Sequence, residues 1–139
     1  MKRIVWICGL LWWPLLLNAQ QAEDSTVQEL SSSPIGYETV QEAFDALSAD
    51  PKITQSHYQG WTVFKSEVDG VYVIWSFTPQ GHPVHPSAVK REIVSRDGEL
   101  SIAMSVLCHS SSADCDVLVE QYKQLNEDIK RRYVPGGKS

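Results

Sequence analysis

The chain has 139 residues, with 17 acidic against 12 basic side chains, a net charge of −5 at pH 7, and three cysteines. That length suits one domain with a single core. A negative chain whose one basic cluster sits at a helix end is a poor ligand for phosphate backbones, so nucleic acid is excluded as a partner.

Lys2 and Arg3 precede an uncharged, apolar run over residues 4–17, after which Asn18, Ala19, Gln20 and Gln21 turn the chain polar. A charged start followed by a short apolar middle is the secretory pattern. The run is shorter than the ~20 residues that a membrane-crossing helix needs. Residues 1–19 are therefore expected to be a signal peptide cleaved after Ala19, although Leu17 departs from the small residue favoured upstream of a cleavage site. This puts the protein in the periplasm or outside the cell, with no stable membrane span after cleavage. An uncleaved anchor, suggested by Trp6, Trp12 and Trp13, is one alternative. A lipoprotein acylated on Cys8 is another, but no small residue precedes Cys8. Cleavage removes Lys2 and Arg3 and no acidic residue, so the net charge of −5 becomes about −7.

Residues 20–36, rich in Gln, Ser, Glu and Asp, are expected to be a flexible amino-terminal arm, and residues 135–139 a disordered tail. The domain is expected over residues 37–134. Thr39-Val40-Gln41-Glu42 is a capping box. Val40, Ala43, Phe44 and Leu47 then recur at helical spacing, and Asp50-Pro51 ends that helix.

Residues 61–67 read as a strand, and Asp69-Gly70 as a tight hairpin turn. The next strand, residues 71–77, is apolar on both faces, as for an inner strand or one covered on both sides. A third strand spans residues 88–96. A turn at Asp97-Gly98 leads to residues 100–108, where Leu100, Ile102, Met104, Val106 and Cys108 share one face. Ser101, Ala103 and Ser105 form a small, polar opposite face.

A second helix is expected after residues 109–112, with Ser111 and Asp114 as its capping signature and Lys130, Arg131 and Arg132 complementing the dipole at its end. Its stripe is Cys115, Leu118, Tyr122, Leu125 and Ile129. Cys108 and Cys115 thus both point inward, and an exported chain meets an oxidising space, so a disulfide is expected between them. Its short closed loop has an entropic contribution of about 2.5 kcal/mol. A redox-active pair and a metal site are the alternatives. The fold class that follows is α+β: a four-stranded antiparallel sheet with an amino-terminal and a carboxyl-terminal helix packed on one face.

The unusual segment is residues 77–87, Phe-Thr-Pro-Gln-Gly-His-Pro-Val-His-Pro-Ser. Pro79 suits the second position of a turn. Together, Pro79, Gly81, His82, Pro83, His85 and Pro86 make a stiff candidate interaction loop, since a rigid loop loses less entropy on binding. The plainer reading is a rigid crossing between hairpins. His82 and His85 are candidate metal ligands, with a third ligand needed from His57, His109 or a carboxylate.

Catalytic signals are poor. Asp45, Asp50, Asp97, Asp114 and Asp116 fall at caps, turns and helix faces. Ser110, Ser111 and Ser112 adjoin His109 but are also what a helix start favours. No Gly-x-Ser-x-Gly elbow or phosphate loop occurs.

The run from Trp75 to Pro83, then His85-Pro86-Ser87 and Val89-Lys90-Arg91, resembles small exported periplasmic proteins of Gram-negative bacteria that have no known activity. These carry a signal peptide, this histidine–proline loop and a late cysteine pair. The resemblance covers most of residues 37–132 and implies compartment and domain type, but no chemistry. The expected function is an exported protein-interaction or inhibitor-like module with no catalytic activity and no cofactor. Its partner would be another exported or envelope protein, a cationic enzyme being one instance. The alternative is a metal-binding periplasmic protein or hydrolase using His82 and His85.

Overall fold

The computed structural model describes residues 33–133. The expected signal peptide, the expected tail and all but the last four residues of the expected arm lie outside them. The elements are α1 (Val40–Ala49), β1 (Thr54–Tyr58), β2 (Trp61–Val68), β3 (Val71–Phe77), β4 (Ser87–Arg96), β5 (Glu99–Cys108) and α2 (Ser112–Arg132). The strands form one antiparallel sheet in the order β1-β2-β3-β4-β5. The sheet therefore has five strands, not the expected four. The additional strand, β1, is Thr-Gln-Ser-His-Tyr, with only Ser56 half-buried. A short polar edge strand carries no hydrophobic alternation, and pairing with β2 alone defines it.

The expected hairpin turns form with positive φ at both residues: Asp69 (52°) with Gly70 (76°), and Asp97 (53°) with Gly98 (83°). Gln59 (49°) and Gly60 (85°) make a third turn of the same kind, joining β1 to β2. Two left-handed residues give the hairpin twist that matches the strands.

The register shows where the helices lie. Phe64 is opposite Trp75, and Phe77 is opposite Ala88, which in turn is opposite Leu107. Cross-strand partners share a face and neighbours along a strand alternate, so these residues line one side of the sheet. Val40, Ala43 and Leu47 of α1, together with Ile35, pack against this side. The other side carries Trp61, Val89, Arg91, Met104, Val106 and Cys108, and there Leu118 and Tyr122 of α2 pack. The two helices thus lie on opposite faces of the sheet and not together on one. With apolar side chains on both faces of the central strands, each face needs its own cover.

Under α1, Phe44, Phe64 and Phe77 meet edge to face, with centroids 5.2–5.5 Å apart. Each such pair adds about 0.5–1.5 kcal/mol beyond the area that it buries. Thr39 caps α1 by accepting from the Glu42 amide at 3.1 Å, and Ser111 caps α2 by accepting from the Asp114 amide at 3.2 Å. Ile35, at the end of the expected arm, is 2% exposed within the α1 core, so packing begins before residue 37. On α2 the buried stripe passes through Asn126 and not Leu125, which is 43% exposed. The disulfide Cys108–Cys115 is formed, with Cα atoms 5.9 Å apart, and joins the end of β5 to the first turn of α2.

Candidate functional site

At one end of the sheet the β1–β2 turn, the β3–β4 loop and the β5–α2 connection come together beside the start of α1. They enclose a cavity of about 570 Å³. Val40, Phe44 and Phe77 supply its apolar wall. Thr39, Gln41, Thr62, Thr78, Gln80, His85 and His109 supply polar groups, and Pro79 and Pro86 lie at its margin. Thr62 is opposite Phe77 in the register and so shares the α1 side of the sheet.

The loop between β3 and β4 is closed at its base by Thr78 and Ser87. The Thr78 amide donates to the Ser87 carbonyl at 3.0 Å, and the Ser87 amide donates to Thr78 Oγ1 at 2.9 Å. Thr78 Oγ1 lies 3.3 Å from the same Ser87 carbonyl and can donate back to it. Thr78 is 6% exposed and Ser87 fully buried, so these bonds are made away from water. The hydroxyl of Ser87 donates to the Val84 carbonyl. Inside the clasp, two successive turns carry the chain: the His82 amide donates to the Pro79 carbonyl and the His85 amide to the His82 carbonyl, both at 2.9 Å. Pro79 is thus the first residue of its turn, not the second. The His85–Pro86 peptide is cis.

The two loop histidines have different surroundings. His85 Nδ1 lies 3.0 Å from the Thr78 carbonyl. A carbonyl only accepts, so Nδ1 is the donor in this contact, and Thr78 Oγ1 lies 3.3 Å from the same nitrogen. His82 Nδ1 accepts from the Val84 amide at 3.3 Å, and its ring packs edge-on against Trp61 at 5.2 Å. Trp61 also meets Tyr122 of α2, with centroids 6.0 Å apart. His82 therefore braces the loop against the α2 side, while His85 lines the cavity on the α1 side. Among the described residues no group of three or more His, Cys, Asp or Glu side chains is arranged to hold a metal ion. Of the histidines named as further ligands, His109 shares the cavity with His85, whereas His57 stands on the edge strand and bonds to Thr62 Oγ1 at 3.2 Å.

Of the candidate loop residues, Gly81, Pro83, His85 and Pro86 are exposed, and Pro79 and His82 are half-buried. Seven cavity residues lie outside the loop motif: Thr39, Val40, Gln41 and Phe44, from the cap and first turns of α1; Gly60, which a missed turn brings in; Thr62, which the register of β2 brings in; and His109, which stands after β5. The β5–α2 connection delivers His109 to the rim.

A second polar cluster lies under α2. Arg91 is 8% exposed, its guanidinium carbon sits 5.4 Å from the Tyr122 ring centroid, and Nη1 donates to Asn126 Oδ1 at 3.4 Å. Its Nε has no partner among the described residues. Burial pushes the Arg91 pKa down. Burial also raises that of Tyr122, opposed by a hydrogen bond to Ser76 and by the Arg91 charge. No protein-family model, curated protein or solved structure matches this chain.

Proposed function

We propose that the protein is an exported binding module, without catalysis of its own, that recognises another exported or envelope protein through loop 78–87 and the cavity beside it. The observation that carries this reading is the Thr78–Ser87 clasp, which holds an exposed, three-proline loop in one shape by buried hydrogen bonds. A loop ordered before binding loses little further entropy on contact, so more of each contact appears as affinity. Conserving shape in this way suits recognition of a folded surface.

Charge favours a cationic partner. Glu38, Glu42 and Asp45 are exposed on and just before α1, next to the cavity residues Thr39, Val40, Gln41 and Phe44. Fields of opposite sign raise the association rate and suppress wrong partners. Among the described residues, the cavity lining holds two histidines but no aspartate, glutamate or cysteine. A histidine base without a neighbouring carboxylate to orient it is a weak starting point for hydrolysis.

The test is site-specific photo-crosslinking in the producing cell. A photoreactive side chain at Gln80 should give a discrete adduct. The same group at Asp69, in the turn at the other end of the sheet, should not. Thr78→Val, which removes the acceptor of the Ser87 amide, should weaken the Gln80 adduct at least several-fold. Adducts of equal yield from Gln80 and Asp69, or none from either, would count against the reading.

A further inference from the structure

The two edges of the sheet are built differently. β1 is five residues long, polar and almost wholly exposed, features that discourage pairing with a further strand. The other edge, β5, runs ten residues, Glu-Leu-Ser-Ile-Ala-Met-Ser-Val-Leu-Cys, and has no strand on its outer side among the described residues. All ten pair in unbroken register with β4, so no bulge turns the edge away. It has no proline and no lysine, and its one charge, Glu99, is at the very end. Such an edge offers a row of backbone donors and acceptors that, among the described residues, has none of the devices that blunt an edge strand.

We propose that β5 pairs antiparallel with β5 of a second copy across a two-fold axis, joining two five-stranded sheets into one continuous ten-stranded sheet. The strand is self-complementary about Ala103. With Ala103 on the axis, Ser101 meets Ser105 on the α1 side. On the α2 side Leu100 meets Val106, and Ile102 meets Met104. Even spacing from the axis keeps like faces together, because side chains alternate with period two. Glu99 falls opposite Leu107 and not opposite its own copy, so no like charges oppose each other along the strand. The residues on the α1 side near the axis are small, and Ala103 and Ser101 are exposed. No large side chain there obstructs a second strand at the usual ~4.8 Å spacing. A two-fold contact of this kind closes on itself, so a sticky edge becomes a dimer and not a fibre. An extended strand from a different protein is the competing occupant, and an edge with no matching charge pattern and a palindromic apolar order favours the second copy.

Sedimentation velocity of the exported chain, from residue 20 on, over a hundredfold concentration range tests the proposal. A species of twice the chain mass is expected. Ala103→Lys should return it to a monomer, since two lysines meet on the axis. Within one subunit the same lysine faces Glu92 across the β4–β5 ladder, so the fold is retained. As an independent arm, Ala103→Cys should give a disulfide-linked dimer on mild oxidation, because residues on the axis bring their Cα atoms within the 4.4–6.8 Å that a bridge spans, about the separation of directly paired residues. A wild-type monomer at every concentration overturns the proposal. So does a dimer that persists in folded Ala103→Lys, or a dimer of Ala103→Cys that does not cross-link.

Discussion

Ser87 lies directly opposite Cys108 in the β4–β5 ladder. The last residue of the loop clasp is therefore paired with the residue that anchors the disulfide, and the bridge to Cys115 braces the loop as well as α2.

Opening the disulfide should lower stability without abolishing the fold. The chain-entropy contribution of so short a loop is about 2.5 kcal/mol, against a total of roughly 5–15 kcal/mol for a domain. Urea unfolding with and without reductant measures the difference. The apolar contacts of Leu118 and Tyr122 remain in the reduced protein, so a cooperative transition should persist. Equal midpoints in the two states would show that the bridge is not structural.

Gly60 and Gly70 form a matched comparison. Both have positive φ, 85° and 76°. Alanine in that region costs about 1–2 kcal/mol from backbone sterics alone. At Gly70 an added Cβ meets nothing within 4 Å, but at Gly60 it meets Pro79 Cβ at 3.3 Å. Gly60→Ala should therefore destabilise more than Gly70→Ala in urea unfolding. It alone should also weaken crosslinking from Gln80, because it presses on the loop. Identical effects would mean that the β1–β2 turn and the loop are uncoupled.

Arg91 makes no ion pair among the described residues. A buried cation without a counter-charge loses hydration that its weak bond to Asn126 and the face of Tyr122 offset only in part. Arg91→Met keeps most of the volume and removes the charge. Made together with Asn126→Leu, so that no buried amide is left without its partner, it should raise stability by about 1–4 kcal/mol, the range seen when well-packed apolar side chains replace buried ionic pairs or triads. A fall in the unfolding midpoint would mean that the guanidinium has a strong partner.

The shift at Tyr122 has a definite sign. Its folded-state pKa lies above the ordinary 10.0 because burial disfavours the phenolate. Below pH 10 both states are protonated and stability does not depend on this group. Above it the unfolded chain ionises first, so the stability from Tyr122 is lost as pH rises toward the folded-state pKa. The difference in unfolding free energy between wild type and Tyr122→Phe should be flat to about pH 10 and then shrink. A difference that stays constant through pH 11 would contradict the burial of the hydroxyl.

Much of the fold was legible where side-chain pattern and backbone preference agreed. β3 begins and ends as expected, and both caps, both Asp-Gly turns and the cysteine pair are where their residues point. β1 was not legible, because Thr-Gln-Ser-His-Tyr buries almost nothing and its turn is Gln-Gly, without the usual Asn or Asp. The placement of the helices followed from a signal that was visible, the two apolar faces of β3, but stripes on separate helices do not reveal that they cover opposite faces. Leu125 and Asn126 differ by one step around α2, and hydropathy chose the leucine although Arg91 draws the asparagine inward. Of the site, the stiffness of the loop could be read from its prolines. The cavity could not, because Phe44, Thr62 and His109 reach it from three separate elements.

The opposed helices make the sheet a partition. Ile35 is held above it and Tyr133 below it, where its hydroxyl bonds to Ser95. A pair of spin labels at the exposed positions Asp45 and Lys123, one on each helix, would span the thickness of the slab. Their separation is a ruler that lies off the loop and the β5 edge. It would report α2 lifting from its face while the other face stays closed, and so distinguish a protein that loosens by layers from one that melts as a whole.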